Sequence, residues 1–141
     1  MYKILVATDG SDHSWRTFVE AVKMAKNLNA EITVITVVDD KPMLAATIPF
    51  TVIEDYKGAM EKIANEALQK AIEYSQGEGM EIKTTLKHGH PADTICSFAE
   101  KNEFDLVVIG SRGLGKIERL ILGSVSNHIA NCAKTNVLIV K

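Results

Sequence analysis

The sequence predicts an α/β fold, a doubly wound five-stranded parallel sheet of order 3-2-1-4-5 with helices on both faces. Three observations carry this. Short runs rich in β-branched apolar residues alternate with segments of helical periodicity along the whole chain. No two of those runs are joined by a hairpin-length turn, so neighbouring strands need crossovers and lie parallel. Such crossovers are right-handed, and winding outward in both directions from a central strand covers both faces. A length of 141 residues with 46 % hydrophobic and 24 % charged content suits a single domain over residues 1–141.

The first strand is read from Tyr2 to Thr8, an apolar run halted by Asp9-Gly10-Ser11. Trp15, Phe18, Val19, Val22 and Ala25 recur at helical spacing to about Leu28, with Asn29 as C-cap. Glu31 to Val38 holds four β-branched apolar residues, Ile32, Val34, Ile35 and Val37, and forms the second strand. Residues 39–50 make a long connection with apolar content, suited to packing, a partner surface or a lid. The longest helix runs from Thr51 to Ser75, and its stripe from Met60 to Ile72 is expected simply to cover the sheet. Glu81 to Lys87 is a weaker third strand. Pro91 then stands at the first position of a helix carrying Ala92, Ile95, Cys96 and Ala99 on one face. Leu106 to Ile109 is the fourth strand, Val125, Ile129 and Cys132 mark a short helix, and Asn136 to Val140 is the last strand.

Composition excludes several classes. A net charge of −2 gives no general attraction to nucleic acid or membrane. No apolar run approaches the roughly 18 residues of a membrane span, and the apolar start is too short for a signal peptide, so a cytoplasmic location is expected. Cys96 and Cys132 are far apart and belong to no CxxC pair; both are expected to be small core residues rather than a disulfide or zinc ligands. His88-Gly89-His90 has no further clustered Cys or His near it in sequence, so no metal site is assigned.

In a doubly wound sheet, ligands sit beyond the carboxyl ends of the strands where the winding reverses, here between strands one and four. Three stretches meet there: Ala7 to Ser11, Val37-Val38-Asp39, and the loop from Gly110 to Ser126. That loop has the chemistry of an anion cradle, with glycines, the cations Arg112 and Lys116, the hydroxyls of Ser111, Ser124 and Ser126, and a helix start at Gly123-Ser124. Asp9 suits a ribose hydroxyl or a hydrated cation, or else the cap region of the first helix. Lys116 reads as a solvated cation. A P-loop is excluded because Ile117 stands where a magnesium-binding hydroxyl is needed, and a G-x-G-x-x-G fingerprint because Glu118 occupies its last position. A phosphorelay receiver lacks its acceptor aspartate after Lys87, and few aromatics stand where a flavin would need them.

The pattern Gly110-x2-Gly113-x9-Gly123-Ser124, with Asp9-Gly10-Ser11, His88-Gly89-His90-Pro91-Ala92 and Asp105 to Gly113, resembles the universal stress protein family over the full chain. The resemblance implies a Rossmann-like fold, a homodimer built through the last strand, and the branch that binds ATP, with Mg²⁺. It carries Asp9 onto the acidic residue ending strand one and Val38 onto the residue beside adenine. Ile109, Gly110, Arg112 and Gly113 match the ribose and phosphate loop, and Gly123, Ser124, Val125 and Ser126 the phosphate cradle. Ala7 departs from the proline of some members. The expected function is a nucleotide-dependent regulatory module in stress response, with no catalytic residue assigned. The alternatives are a slow ATPase, in which His13 is either the residue that orients a water or a surface histidine, and a nucleotide-independent dimeric interaction protein.

Overall fold

The computed structural model describes residues 1–39, 48–112 and 122–141. Five strands, β1 (Lys3–Ala7), β2 (Glu31–Val38), β3 (Lys83–His88), β4 (Leu106–Gly110) and β5 (Asn136–Val140), alternate with four helices, α1 (Asp12–Leu28), α2 (Phe50–Gly77), α3 (Pro91–Lys101) and α4 (Ser124–Cys132). The sheet order is β3-β2-β1-β4-β5, with every pair parallel, as the alternation requires. Boundaries shift by one or two residues from expectation, and β2 and β5 match it.

Side chains on a strand alternate between faces, so each buried strand feeds two cores. Ile4 and Val6 of β1, with Ile32, Val34 and Val108, pack against Phe18, Ala21, Val22 and Ala25 of α1 and Leu68 and Ala71 of α2. Leu5, Ile35, Val107 and Ile109 point the other way, onto Ala92, Ile95 and Ala99 of α3 and Ile129 of α4. Complete burial of Ile4, Leu5 and Val6 accounts for an uninterrupted apolar run at the centre of the sheet. The helices start and stop where local chemistry directs. The Ser11 hydroxyl accepts the Ser14 N–H to cap α1, and Asn29 ends it in the left-handed conformation at φ 51°. Among the described residues no helix is long and apolar enough to cross a membrane.

One expectation is overturned on the α3–α4 face. Cys96 and Cys132 are bonded to each other, with Cα atoms 6.4 Å apart across 36 residues of sequence. Sequence separation hid the pair. The two helices follow consecutive crossovers on the same face of the sheet, which sets them side by side, and β4 lies between them in the chain.

Candidate functional site

The carboxyl ends of β1, β2 and β4 open onto a cavity of about 580 Å³, within the range of small-molecule sites. Its first wall is Ala7, Thr8, Asp9 and Gly10. Gly10 has φ 84°, which only glycine adopts without strain, and a side chain there would also press on Ile63 of α2. Asp9 Oδ1 accepts the Ser11 N–H at 2.9 Å and closes an Asx turn ahead of α1. The two readings of Asp9 are therefore compatible, since one carboxylate oxygen orders the helix start while the residue lines the cavity.

The second wall comes from β2. Val38 is buried against the cavity, and its carbonyl accepts the Gly89 N–H at 3.0 Å, so one of its two lone pairs is engaged. Thr36 also lines the cavity, with a buried hydroxyl that has no hydrogen-bond partner among the described residues.

The third wall is β4, its following residues and the start of α4. Ile109, Gly110, Arg112, Gly123, Ser124, Val125 and Ser126 all border the cavity. Gly113 and Lys116 lie outside the described residues. Arg112 is exposed and makes no hydrogen bond or ion pair with another described residue. Gly123 precedes α4 as its cap residue and donates its N–H to the Ser111 carbonyl at 2.7 Å. Among the described residues no side chain caps α4, and its first turn holds no acid, so the N–H groups of Ser124, Val125 and Ser126 keep the helix-start electropositive character at the cavity edge.

Two hydroxyls expected at the anion cradle are used otherwise. Ser126 is buried and donates to the Gly110 carbonyl at 2.5 Å, tying α4 to β4. Ser111 does not border the cavity; its hydroxyl lies 3.5 Å from His13 Nε2. His13 itself is neither a free surface histidine nor a cavity residue. Its Nδ1 faces Arg16 at 3.0 Å and its Nε2 the Val140 carbonyl at 3.1 Å, so the tautomer that satisfies both accepts from Arg16 and donates to Val140. The ring lies over Gly110, where a Cβ would come within 2.6 Å of it. Gly110 is thus required by packing against α1, a reason other than the close ligand approach expected of this loop.

A fourth wall was missed. Tyr56, Met60, Ile63 and Ala64 of α2, with Pro91 and Ile95 of α3, complete the enclosure. The signal was present in length: the 28 residues of α2 span about 42 Å, against about 26 Å for the eight of β2. A helix so much longer than its strand overhangs the sheet edge. Leu68 and Ala71 cover the sheet, whereas Ala64 and the turns before it serve the cavity.

The family model described as the universal stress protein family matches residues 1–141. The chain belongs to the universal stress protein family. A universal stress protein of Methanocaldococcus jannaschii is 37 % identical over 141 residues, which cover 99 % of this chain and 81 % of the relative. Among solved universal stress proteins, UspA from Lactobacillus plantarum superposes with a TM-score of 0.88 at 28 % identity, covering 99 % of this chain and 97 % of the other. Another, solved in complex with cAMP, is 29 % identical with a TM-score of 0.65 and covers 99 % and 96 %. The Rossmann-like sheet that the resemblance implied is the fold of these solved relatives.

Proposed function

We propose that the chain binds an adenine nucleotide, ATP with Mg²⁺, at the carboxyl edge of the sheet and acts as a nucleotide-dependent regulatory module. The observation that carries this reading is the start of α4, whose amides have no side-chain cap among the described residues and border the cavity beside Arg112. A phosphate group is the ligand that such a helix start favours. The reading is supported by the family and by a related universal stress protein solved with cAMP. Adenine would lie beside Val38, the ribose near Asp9, the ribose and first phosphate along the loop of Ile109, Gly110, Arg112 and Gly113, and the further phosphates against Gly123, Ser124 and Val125. Ser126 would contribute through its backbone N–H, because its hydroxyl is held by Gly110. The unpartnered Thr36 hydroxyl is a further polar group that a base could satisfy. Mg²⁺ binds through one or two carboxylates, phosphate oxygens and water, and Asp9 is an acid on the cavity wall that fits that donor set. When bound, the ion would offset phosphate charge.

Binding is favoured over hydrolysis in this reading. The imidazole that a slow ATPase would use to orient water, His13, spends both ring nitrogens on Arg16 and Val140. The same reading includes a homodimer through β5, which stands at the edge of the sheet with Val137 to Val140 only half-buried.

Gly123→Val tests the site. Its side chain would enter the path of the phosphates, removing at least two charge-assisted hydrogen bonds at roughly 1.5–3 kcal/mol each. ATP affinity measured by calorimetry is expected to fall at least about 100-fold. Unchanged affinity would overturn the assignment.

A further inference from the structure

We infer that His90, Asp93 and His128 form a binding site for a divalent transition metal of the zinc class, joining the start of α3 to α4. The site stands apart from the nucleotide reading and does not rest on it. His90 and His128 are 38 residues apart in sequence, and the packing of α4 on α3 turns both imidazoles toward one carboxylate. His90 Nδ1 lies 3.4 Å from Asp93 Oδ2, and His128 Nε2 lies 3.2 Å from Asp93 Oδ1. All three potential ligand atoms fall within 4.8 Å of one another. The two rings are tilted by 56° with centroids 5.2 Å apart, so they converge without stacking.

The chemistry of His90 points to a cation. Its Nδ1 accepts the Asp93 N–H at 3.4 Å as the cap of α3, which requires a lone pair on Nδ1. The same atom faces Asp93 Oδ2, also an acceptor, so two lone-pair atoms oppose each other with no proton between them. A proton or a metal ion on Nδ1 relieves this, and the long cap bond yields to either. A metal ion would in addition engage His128, which faces the other oxygen of the same carboxylate.

Spacing agrees with ligation. A tetrahedral ion with ligands at about 2.0–2.1 Å has ligand–ligand edges of about 3.3–3.4 Å. The 3.4 Å to Oδ2 and 3.2 Å to Oδ1 are close to such edges but run to the two different oxygens of Asp93, so a rotation of its exposed carboxylate is needed to set one oxygen opposite both nitrogens; both are longer than the about 2.7–2.9 Å at which charge-assisted hydrogen bonds concentrate. The nitrogen–nitrogen edge closes by rotation of side chains that are 32–65 % exposed. Exposure also leaves a fourth position for water. Two imidazoles and one carboxylate select zinc, nickel or copper over magnesium or calcium, which favour oxygen ligands throughout.

The placement gives the metal a mechanical role. Asp93 stands three residues before Cys96, and His128 four before Cys132, so the metal and the Cys96–Cys132 bond are successive rungs between the same helix faces. The metal rung is the one nearer Ser124, about 6 Å along α4 from His128.

The test is calorimetric titration of the tag-free, nucleotide-free, chelator-treated protein with zinc chloride, keeping the disulfide intact. One equivalent per chain is expected, with affinity lowered at least 10-fold in both Asp93→Ala and His128→Gln and unchanged in His88→Ala. Binding must persist in a Cys96→Ala/Cys132→Ala variant, which excludes thiolate ligation. Cobalt chloride should give the visible absorption of a four-coordinate ion in the wild type and lose it in His128→Gln. Absence of binding at one equivalent, or full affinity in His128→Gln with unchanged circular dichroism, would overturn the proposal.

Discussion

Gly110 has no room for a methyl group. A Cβ there would stand 2.6 Å from His13 Cδ2, 2.9 Å from His13 Nε2 and 2.9 Å from Thr17 Oγ1, and neither residue can retreat freely. Thr17 is fully buried, and its hydroxyl donates to the His13 carbonyl at 3.0 Å; His13 is held at both ring nitrogens. Gly110→Ala is therefore expected to cost about 1–3 kcal/mol, read as a lower urea midpoint at unchanged m-value. In the His13→Ala background part of that cost should disappear, because the ring is gone while Thr17 Oγ1 stays 2.9 Å from the methyl; an equal cost in both backgrounds would show that the ring does not help exclude it. The same contact explains why His13, read from sequence as a surface histidine or a water-orienting one, is neither. Its position in the first turn of α1 puts it over β4, and only the close approach of helix to strand at a glycine lets the ring reach the Val140 carbonyl.

Among the helices, α4 is the one whose position matters most for the cavity, and it is fastened along its length. Ser126 bonds to β4 at one end, Cys132 to Cys96 at the other, and just past the helix the Lys134 ammonium meets Glu100 at 2.7 Å. That hydrogen bond holds the Lys134 pKa above its ordinary 10.5. Its folded value is raised, so whatever it contributes is fully present at neutral pH and is lost only as pH climbs through the raised value. The disulfide contributes far more. Closing a loop of 36 residues restricts the unfolded chain by an amount on the order of 2–4 kcal/mol. Reductant should lower unfolding stability by that much in urea titrations, and the Cys96→Ala/Cys132→Ala variant should not respond to reductant at all. A wild type equally indifferent to reductant would mean that the bond adds nothing to stability.

At the scale of the molecule, the sheet leaves β5 as an edge with Val137, Leu138, Ile139 and Val140 only half-covered. Long apolar edges invite pairing, and natural proteins either blunt them or use them. Asn136 at the start and Lys141 beyond the end are the polar residues that flank this strand. For the proposed homodimer, light scattering should give twice the 15.4 kDa chain mass at micromolar concentration. The β5 amides should then exchange more slowly than those of β3, the opposite edge, and their protection should fall on dilution. A chain that stays monomeric across that range would rule out β5 as a stable interface. The β3 edge contrasts with it: Lys83 and Lys87 make it charged, and Thr84 and Thr85 make it polar.

Much of this was legible in the order of residues. Alternating apolar runs and helical stripes, with no hairpin turns, determined a parallel sheet of order 3-2-1-4-5, because handedness and crossover length leave few other arrangements. That topology brought Asp9, Val38 and the loop from Gly110 to Ser126 to one place, the family resemblance singled out Ile109, Gly110, Arg112, Gly123, Ser124, Val125 and Ser126, and all of these residues border one cavity. What the order of residues left open depends on how helices lie against the sheet and one another. That packing joined Cys96 to Cys132, gathered His90 and His128 around Asp93, turned Ser111 toward His13, and carried the first turns of α2 over the cavity. Strand order follows from local patterning and chain connectivity. Contacts between separate helices depend on distances that no local pattern encodes, and they exist only once the side chains interlock.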